Sequence, residues 1–382
     1  MSEFINTADI IGDDEMCDQI IMRTVTEYKE NRVSTVGTRA FHGCTALTEV
    51  DLPNVTSIGV YPFNECTSLE VINMPSLITL GNSYNPAFSG LTNLKMIHLD
   101  NLEDTMSGNT NGAFSSCKVL TEICLPKAKN LCDAAFSNCT ALKIVDLPSA
   151  TRIGARPFNY ISSVMALILR APTVANLSLA EWGYSCGFCT STGYIYVPSA
   201  LVESYRTATN WSTSADRFRG IFKDEDVLQG IAYGTLVDLR SDTLVSVPIR
   251  GCYNYTNLET AYLPNVTSVG SYAFSECSSL KVADLGRISG ELPQAAFSGC
   301  SNLVAVAIRS DSVPTLRWAG NDWATTFRYC NKLSGGDGYF YVPRALVDSY
   351  KAATNWSAYQ FRALEDYTVD GTITGELDET KI

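Results

Sequence analysis

From Leu47 onward the chain repeats one cadence of apolar and variable positions. An apolar residue is followed by two variable positions, an apolar residue, one variable position, and a last apolar residue, often with Pro after it. The first copies are Leu47, Val50, Leu52, Pro53; Leu69, Ile72, Met74, Pro75; and Leu94, Ile97, Leu99. Leu120, Ile123, Leu125, Pro126; Leu142, Val145, Leu147, Pro148; and Val164, Leu167, Leu169 follow. The second half has Leu258, Ala261, Leu263, Pro264; Leu280, Ala283, Leu285; and Leu303, Val306, Ile308. The end of each copy alternates with period two, which predicts a short strand buried on one side. Proline, lacking a backbone donor for another rung, ends it.

A second phrase, "AF-x-x-C", punctuates the copies and ends at Cys44, Cys66, Cys117, Cys139, Cys277, Cys300 and Cys330. Degenerate versions end at Leu91 and Ile161. Phe41 to Phe63 spans 22 residues, as do Phe114 to Phe136 and Phe136 to Phe158, and Phe274 to Phe297 spans 23. A fixed period of that length is the mark of a solenoid. The phrase "LPNVTSIGVYPFNECTSLEVINMP" resembles, nearly position for position, the BspA-like leucine-rich repeat. The resemblance covers residues 33–168 and 244–308 and implies an α/β repeat solenoid of short parallel strands. It also implies adhesion to host proteins or other cells, although a scaffold by itself does not specify a function.

The chain contains two related halves. "TVTEYKENRVSTVG" at Thr24 aligns without a gap with "TLVDLRSDTLVSVP" at Thr235, a shift of 211. "YVPSALVESYRTATNWS" at Tyr196 matches "YVPRALVDSYKAATNWS" at Tyr341, a shift of 145, so the first half is longer by three repeats of 22. This ending is similar to one in leucine-rich repeat proteins of gut Firmicutes and their prophages. It reads as a helix whose apolar face is Leu201, Val202, Tyr205 and Ala208, or Leu346, Val347, Tyr350 and Ala353. The last coil of a solenoid needs a cover, so each helix is expected to cap its array, with Trp211 and Trp356 as plugs. The expected organisation is an N-terminal cap segment (1–24), a first solenoid with helical cap (25–226), a shorter second one (227–369) and a polar acidic tail (370–382).

Composition narrows the function. A net charge of −12 makes nucleic acid and anionic membrane poor partners. No stretch reaches the length of a membrane span, and the acidic start does not read as a signal peptide. A route made reduced in the bacterial cytoplasm and displayed later is therefore expected, with a prophage tail or fibre as the alternative to a cell-surface adhesin. The repeated cysteines share their position with Leu91, Ile161 and Tyr255, so they read as buried packing residues rather than disulfides. "CGFC" (Cys186 to Cys189) lacks the second cysteine or histidine pair that zinc needs.

No nucleotide-binding, zinc-protease or nucleophile-elbow motif is present in the sequence. His42 lies in a loop phrase and His98 on a strand, facing away from the core, so no nucleophile–base pair emerges. Neither catalytic residues nor a cofactor or metal site is expected. "N-x-T" at Asn54 reads as a turn unless the host glycosylates. What remains is a surface: two outward columns holding Glu49, Val71, Met96, Glu122 and Ile144, and Asp51, Asn73, His98, Asp146 and Ile168. Apolar side chains interleaved with acids on a strand face suggest binding of a protein or glycan on a host or neighbouring cell. A virion protein of this kind would be a homo-oligomer.

Overall fold

A computed structural model describes residues 10–11, 24–80, 86–105, 112–178, 193–317 and 325–364. The chain divides into two compact units, Met1–Phe218 and Arg219–Ile382. In the first, the apolar cadence becomes front strands β1 (Glu27–Lys29), β2 (Glu49–Asp51), β3 (Val71–Asn73) and β4 (Met96–His98). They continue as β5 (Glu122–Cys124), β6 (Ile144–Leu147), β7 (Ala166–Leu169) and β8 (Tyr194–Val197), and β9 (Phe218–Gly220) begins at the last residue of that unit. The second unit has β10 (Asp238–Arg240), β11 (Thr260–Leu263), β12 (Val282–Leu285), β13 (Ala305–Ile308), β14 (Tyr339–Val342) and β15 (Phe361–Ala363).

Neighbouring front strands pair in parallel. The sheets run β1 to β4, β5 to β9 and β10 to β15, so the front ladder of the first unit is interrupted between β4 and β5. Stacking nevertheless continues behind that break, where Asp104 bridges Asn130. Two-residue strands such as Thr35–Val36 and Ser57–Ile58 form this second row. The family-like architecture, an α/β repeat solenoid of short parallel strands, is the one observed.

The phenylalanines of "AF-x-x-C" stack through each unit. Phe41, Phe63, Phe88, Phe114, Phe136 and Phe158 follow one another at 5.3–6.0 Å with nearly parallel rings. Phe274, Phe297 and Phe327 do the same at 5.0 and 5.2 Å. Each stacked pair contributes about 1 kcal/mol beyond its buried area. The cysteine beside them does more than fill space. The Cys66 Sγ donates to the Phe41 carbonyl at 2.8 Å, Cys139 to Phe114 at 3.0 Å, and Cys300 to Phe274 at 3.0 Å. That carbonyl also accepts the backbone N–H of its own coil's cysteine, as Phe41 does from Cys44 at 3.1 Å. Both lone pairs are thereby used.

The repeated "LPNVTS" is explained by the same stacking. Leu52, Val55, Leu263 and Val266 are fully buried. The Asn54 amide donates to the Asn31 carbonyl one coil back at 2.6 Å, and Asn265 to Asp242 at 2.8 Å. The glycine that follows is fixed by proximity. A Cβ at Gly59, Gly154 or Gly270 would lie 2.4 Å from the backbone of the preceding coil.

The same segment recurs late in each unit. After Pro198 a short 3-10 turn leads into α1 (Val202–Thr207), and 3-10 turns carry the chain past Trp211. The Trp211 Nε1 donates to the Ala175 carbonyl at 2.7 Å, and the Ala175 N–H donates to the Tyr205 hydroxyl at 2.8 Å. In the second unit α4 (Val347–Ala352) plays the part of α1, and Trp356 Nε1 donates to the Pro314 carbonyl at 2.7 Å. Both helices stop one residue before the end of the expected apolar face, because Ala208 and Ala353 are extended. Helix α2 (Glu225–Ala232), capped by the Asp224 carboxylate on the Val227 N–H, was not anticipated. The expected boundary at residues 226–227 falls inside it. A short fourth helix, α3 (Asn331–Gly335), ends on left-handed Gly336.

The buried thiols predict a pH dependence. Burial pushes Cys66 and Cys277 up to about 12 from an ordinary 9.0. Between those values the unfolded chain releases protons that the folded chain keeps. Stability is therefore full below about pH 9 and is lost as pH rises towards about 12. Urea unfolding at a series of alkaline pH values should show a falling midpoint, less steep in a Cys66→Ala/Cys277→Ala variant. A flat profile would contradict this.

Candidate functional site

The outward positions of the front strands form two columns. Pairing aligns Glu27, Glu49, Val71 and Met96 in one, and Lys29, Asp51, Asn73 and His98 in the other. Beyond the break, Glu122, Ile144, Ala166 and Tyr194 align, as do Cys124, Asp146, Ile168 and Tyr196. Six of the ten expected residues, Glu49, Asp51, Val71, Asn73, Met96 and His98, thus share one sheet. Glu122, Ile144, Asp146 and Ile168 lie on the other.

Burial separates the two ends of this face. Met96, at 49% exposure, and His98, Glu122 and Cys124 stand out in solvent. Glu49, Asp51, Val71, Asn73 and Asp146 are half-buried. Ile144 and Ile168 point outward by register but retain only 8% and 2% exposure, so neither offers contact surface. Period-two alternation predicts direction, and it cannot foresee what lies over a strand.

Polar contacts order the face. The Lys29 ammonium bridges Glu49 at 2.9 Å and Glu27 at 3.4 Å, and its hydrogen bond to Glu49 raises its pKa. The Asn73 amide donates to Asp51 at 2.8 Å. Further along, Arg170 clamps Asp146 through Nη2 at 2.9 Å and Nε at 3.4 Å. Sequence reasoning began the face one coil too late, at Glu49, and so missed Glu27 and Lys29. It also missed Arg170, although a signal was present: "LILR" at Arg170 and "VAIR" at Arg309 place an arginine after equivalent strands.

The second unit repeats the strands with a different face. Its columns are Asp238, Thr260, Val282, Ala305, Tyr339 and Arg240, Tyr262, Asp284, Ala307, Tyr341, Arg362. Asp238 and Arg240 are exposed, but Tyr262, Val282, Ala305, Ala307 and Tyr341 form a buried cluster with Leu364. Arg309 pairs with Asp284 at 2.5 Å inside it. This face is filled, whereas the β1 to β5 face of the first unit is open.

The ten described cysteines are thiols, nine of them buried and Cys124 exposed. "CGFC" lies outside the described residues. Among the described residues no group of three or more His, Cys, Asp or Glu side chains is placed to hold a metal. Nor is any described helix long and apolar enough to cross a membrane.

The model of the BspA-type leucine-rich repeat region matches residues 26–110, 101–201 and 249–334, in six copies. The chain belongs to that family. A search of the curated proteins finds no match. Among solved structures the chain is similar to a leucine-rich repeat protein from Bacteroides ovatus, at 21% identity over 94% of this chain and 93% of that one, with a TM-score of 0.33. A leucine-rich cell surface protein from Faecalibacterium prausnitzii is 18% identical over 93% and 92%, with a TM-score of 0.33. An internalin from Listeria monocytogenes is 14% identical over 77% and 83%, with a TM-score of 0.31. The family's repeats point to a protein-binding or adhesion role.

The two arginine–carboxylate pairs give a test of how these faces are built. Asp284→Ala leaves the Arg309 charge in a buried cluster without that carboxylate and should cost about 3 kcal/mol. The more exposed Asp146→Ala should cost about 1 kcal/mol. Replacing Asp284 and Arg309 together by Leu and Met should recover most of the loss in chemical denaturation. Equal losses for the two Ala variants would contradict the burial difference.

Proposed function

We propose that this protein is a non-enzymatic recognition protein, displayed at an extracellular surface, that binds its partner through the open front face of the first unit. The observation that carries this reading is the contrast between the faces. Met96, His98, Glu122 and Cys124 stand exposed on rigid paired strands, while the equivalent region of the second unit is filled. A fixed ladder holds such side chains at little entropic cost, which favours binding. The partner is a protein or glycan on a host or neighbouring cell.

The thiols favour a second reading of the display route. The Sγ atoms of Cys66, Cys117, Cys139, Cys277, Cys300 and Cys330 act as hydrogen-bond donors, which a disulfide sulfur could not do, so the solenoid suits synthesis in a reducing compartment. A phage tail or fibre component, made in the bacterial cytoplasm and released by lysis, meets that condition. Mass spectrometry of induced phage particles would find this chain if the route is correct, and particles lacking it would remove the reading.

Binding of the fluorescently labelled full chain to intact bacterial and epithelial cells tests the face. Charge reversal by Glu49→Lys, Asp51→Lys and Glu122→Lys together should abolish saturable binding. Asp238→Lys, on the second unit, should leave it unchanged. Undiminished binding of the triple variant would overturn the assignment.

A further inference from the structure

We infer that the occupant of the open face is a cationic amphipathic segment of a partner protein. Its Lys or Arg side chains would meet the glutamates at either end, and its apolar side chains would lie between them. This rests on the reading that the face is a recognition surface.

The order of residues along one column carries the inference. Glu27, Glu49, Val71 and Met96 follow one another by strand pairing, and Glu122 takes the same outward position on β5. The sequence acid, acid, apolar, apolar, acid asks for basic, basic, apolar, apolar, basic. Adjacent strands lie about 4.8 Å apart, close to the 5.4 Å pitch of an α-helix. A helix laid along the stack therefore presents roughly one side chain per coil from a single face.

The charge balance points the same way. Residues 24–105 carry nine acidic and four basic side chains. Among the outward positions of β1 to β5, Lys29 is the one Lys or Arg, and it already bridges Glu49 and Glu27. Polyanions are repelled by such a surface. A sugar ring would find little to stack on, since His98 is the only ring among those outward positions. Long Lys and Arg stems, by contrast, can cover Val71 and Met96 while their charged heads reach the carboxylates.

The test uses the full chain and a labelled alanine-based helical peptide bearing Lys, Lys, Leu, Leu and Lys at successive turns. A control peptide carries Glu in place of Lys, and a panel of neutral oligosaccharides is measured beside them. Fluorescence anisotropy should show saturable binding of the Lys peptide alone. Glu49→Lys/Glu122→Lys, and separately Met96→Asp, should each weaken it at least about tenfold, whereas Asp238→Lys should not. Circular dichroism checks that these surface variants fold. No saturable binding, or equal binding by wild type and Glu49→Lys/Glu122→Lys, overturns the inference. Oligosaccharide binding lost in the triple charge reversal overturns it while leaving the recognition reading intact. If the triple variant also binds cells normally, both fall.

Discussion

The backbone edge of one coil can be satisfied only by the next, and the rest of the structure follows from that. Phe41 donates its N–H forward to the Pro62 carbonyl at 2.8 Å, and its own carbonyl receives the Cys66 thiol. The same exchange recurs from Phe114 to Ala135 and from Phe274 to Ala296. Buried backbone groups left unpaired are costly, so the coils must stay in register. Stacked rings and close-set glycines such as Gly154 are compatible with only that spacing.

This constraint explains why so much of the fold could be read from the letters. Positions that face the interior are the same in every coil, so Leu52, Phe63 and Cys66 announce their roles by repetition. The hydrogen-bonding duty of the cysteines was less legible, because Leu91 and Ile161 at the same position suggest packing alone. Helix α2 escaped because it interrupts the period and its one clear signal, Asp224 before an acidic turn, lies in a stretch read as the end of the first array. Register on the front face was legible from Glu49 to Ile168, since alternation fixes direction. Exposure was not: Ile144 and Ile168 are covered although their alternation is indistinguishable from that of Val71 and Met96.

The outward positions separate the two units. The interior positions hold the ladder, and the outward positions are at liberty to differ. In the second unit they hold Tyr262, Tyr341 and the Asp284–Arg309 pair, which turn the strand face into additional core. In the first they hold Glu49, which is half-buried, and Met96, His98 and Glu122, which are exposed on either side of the interruption between β4 and β5. The same repeat thus carries a filled strand face in the second unit and a more exposed one over β1 to β5 of the first.

Hydroxyl-radical footprinting of the native full chain, read by mass spectrometry, tests that division most directly. Met96, His98 and Cys124 should oxidise rapidly, while Tyr262 and Tyr341, despite their intrinsic reactivity, should be protected until the protein is unfolded. Tyr262 and Tyr341 oxidising as fast as Met96 in the folded protein would contradict it.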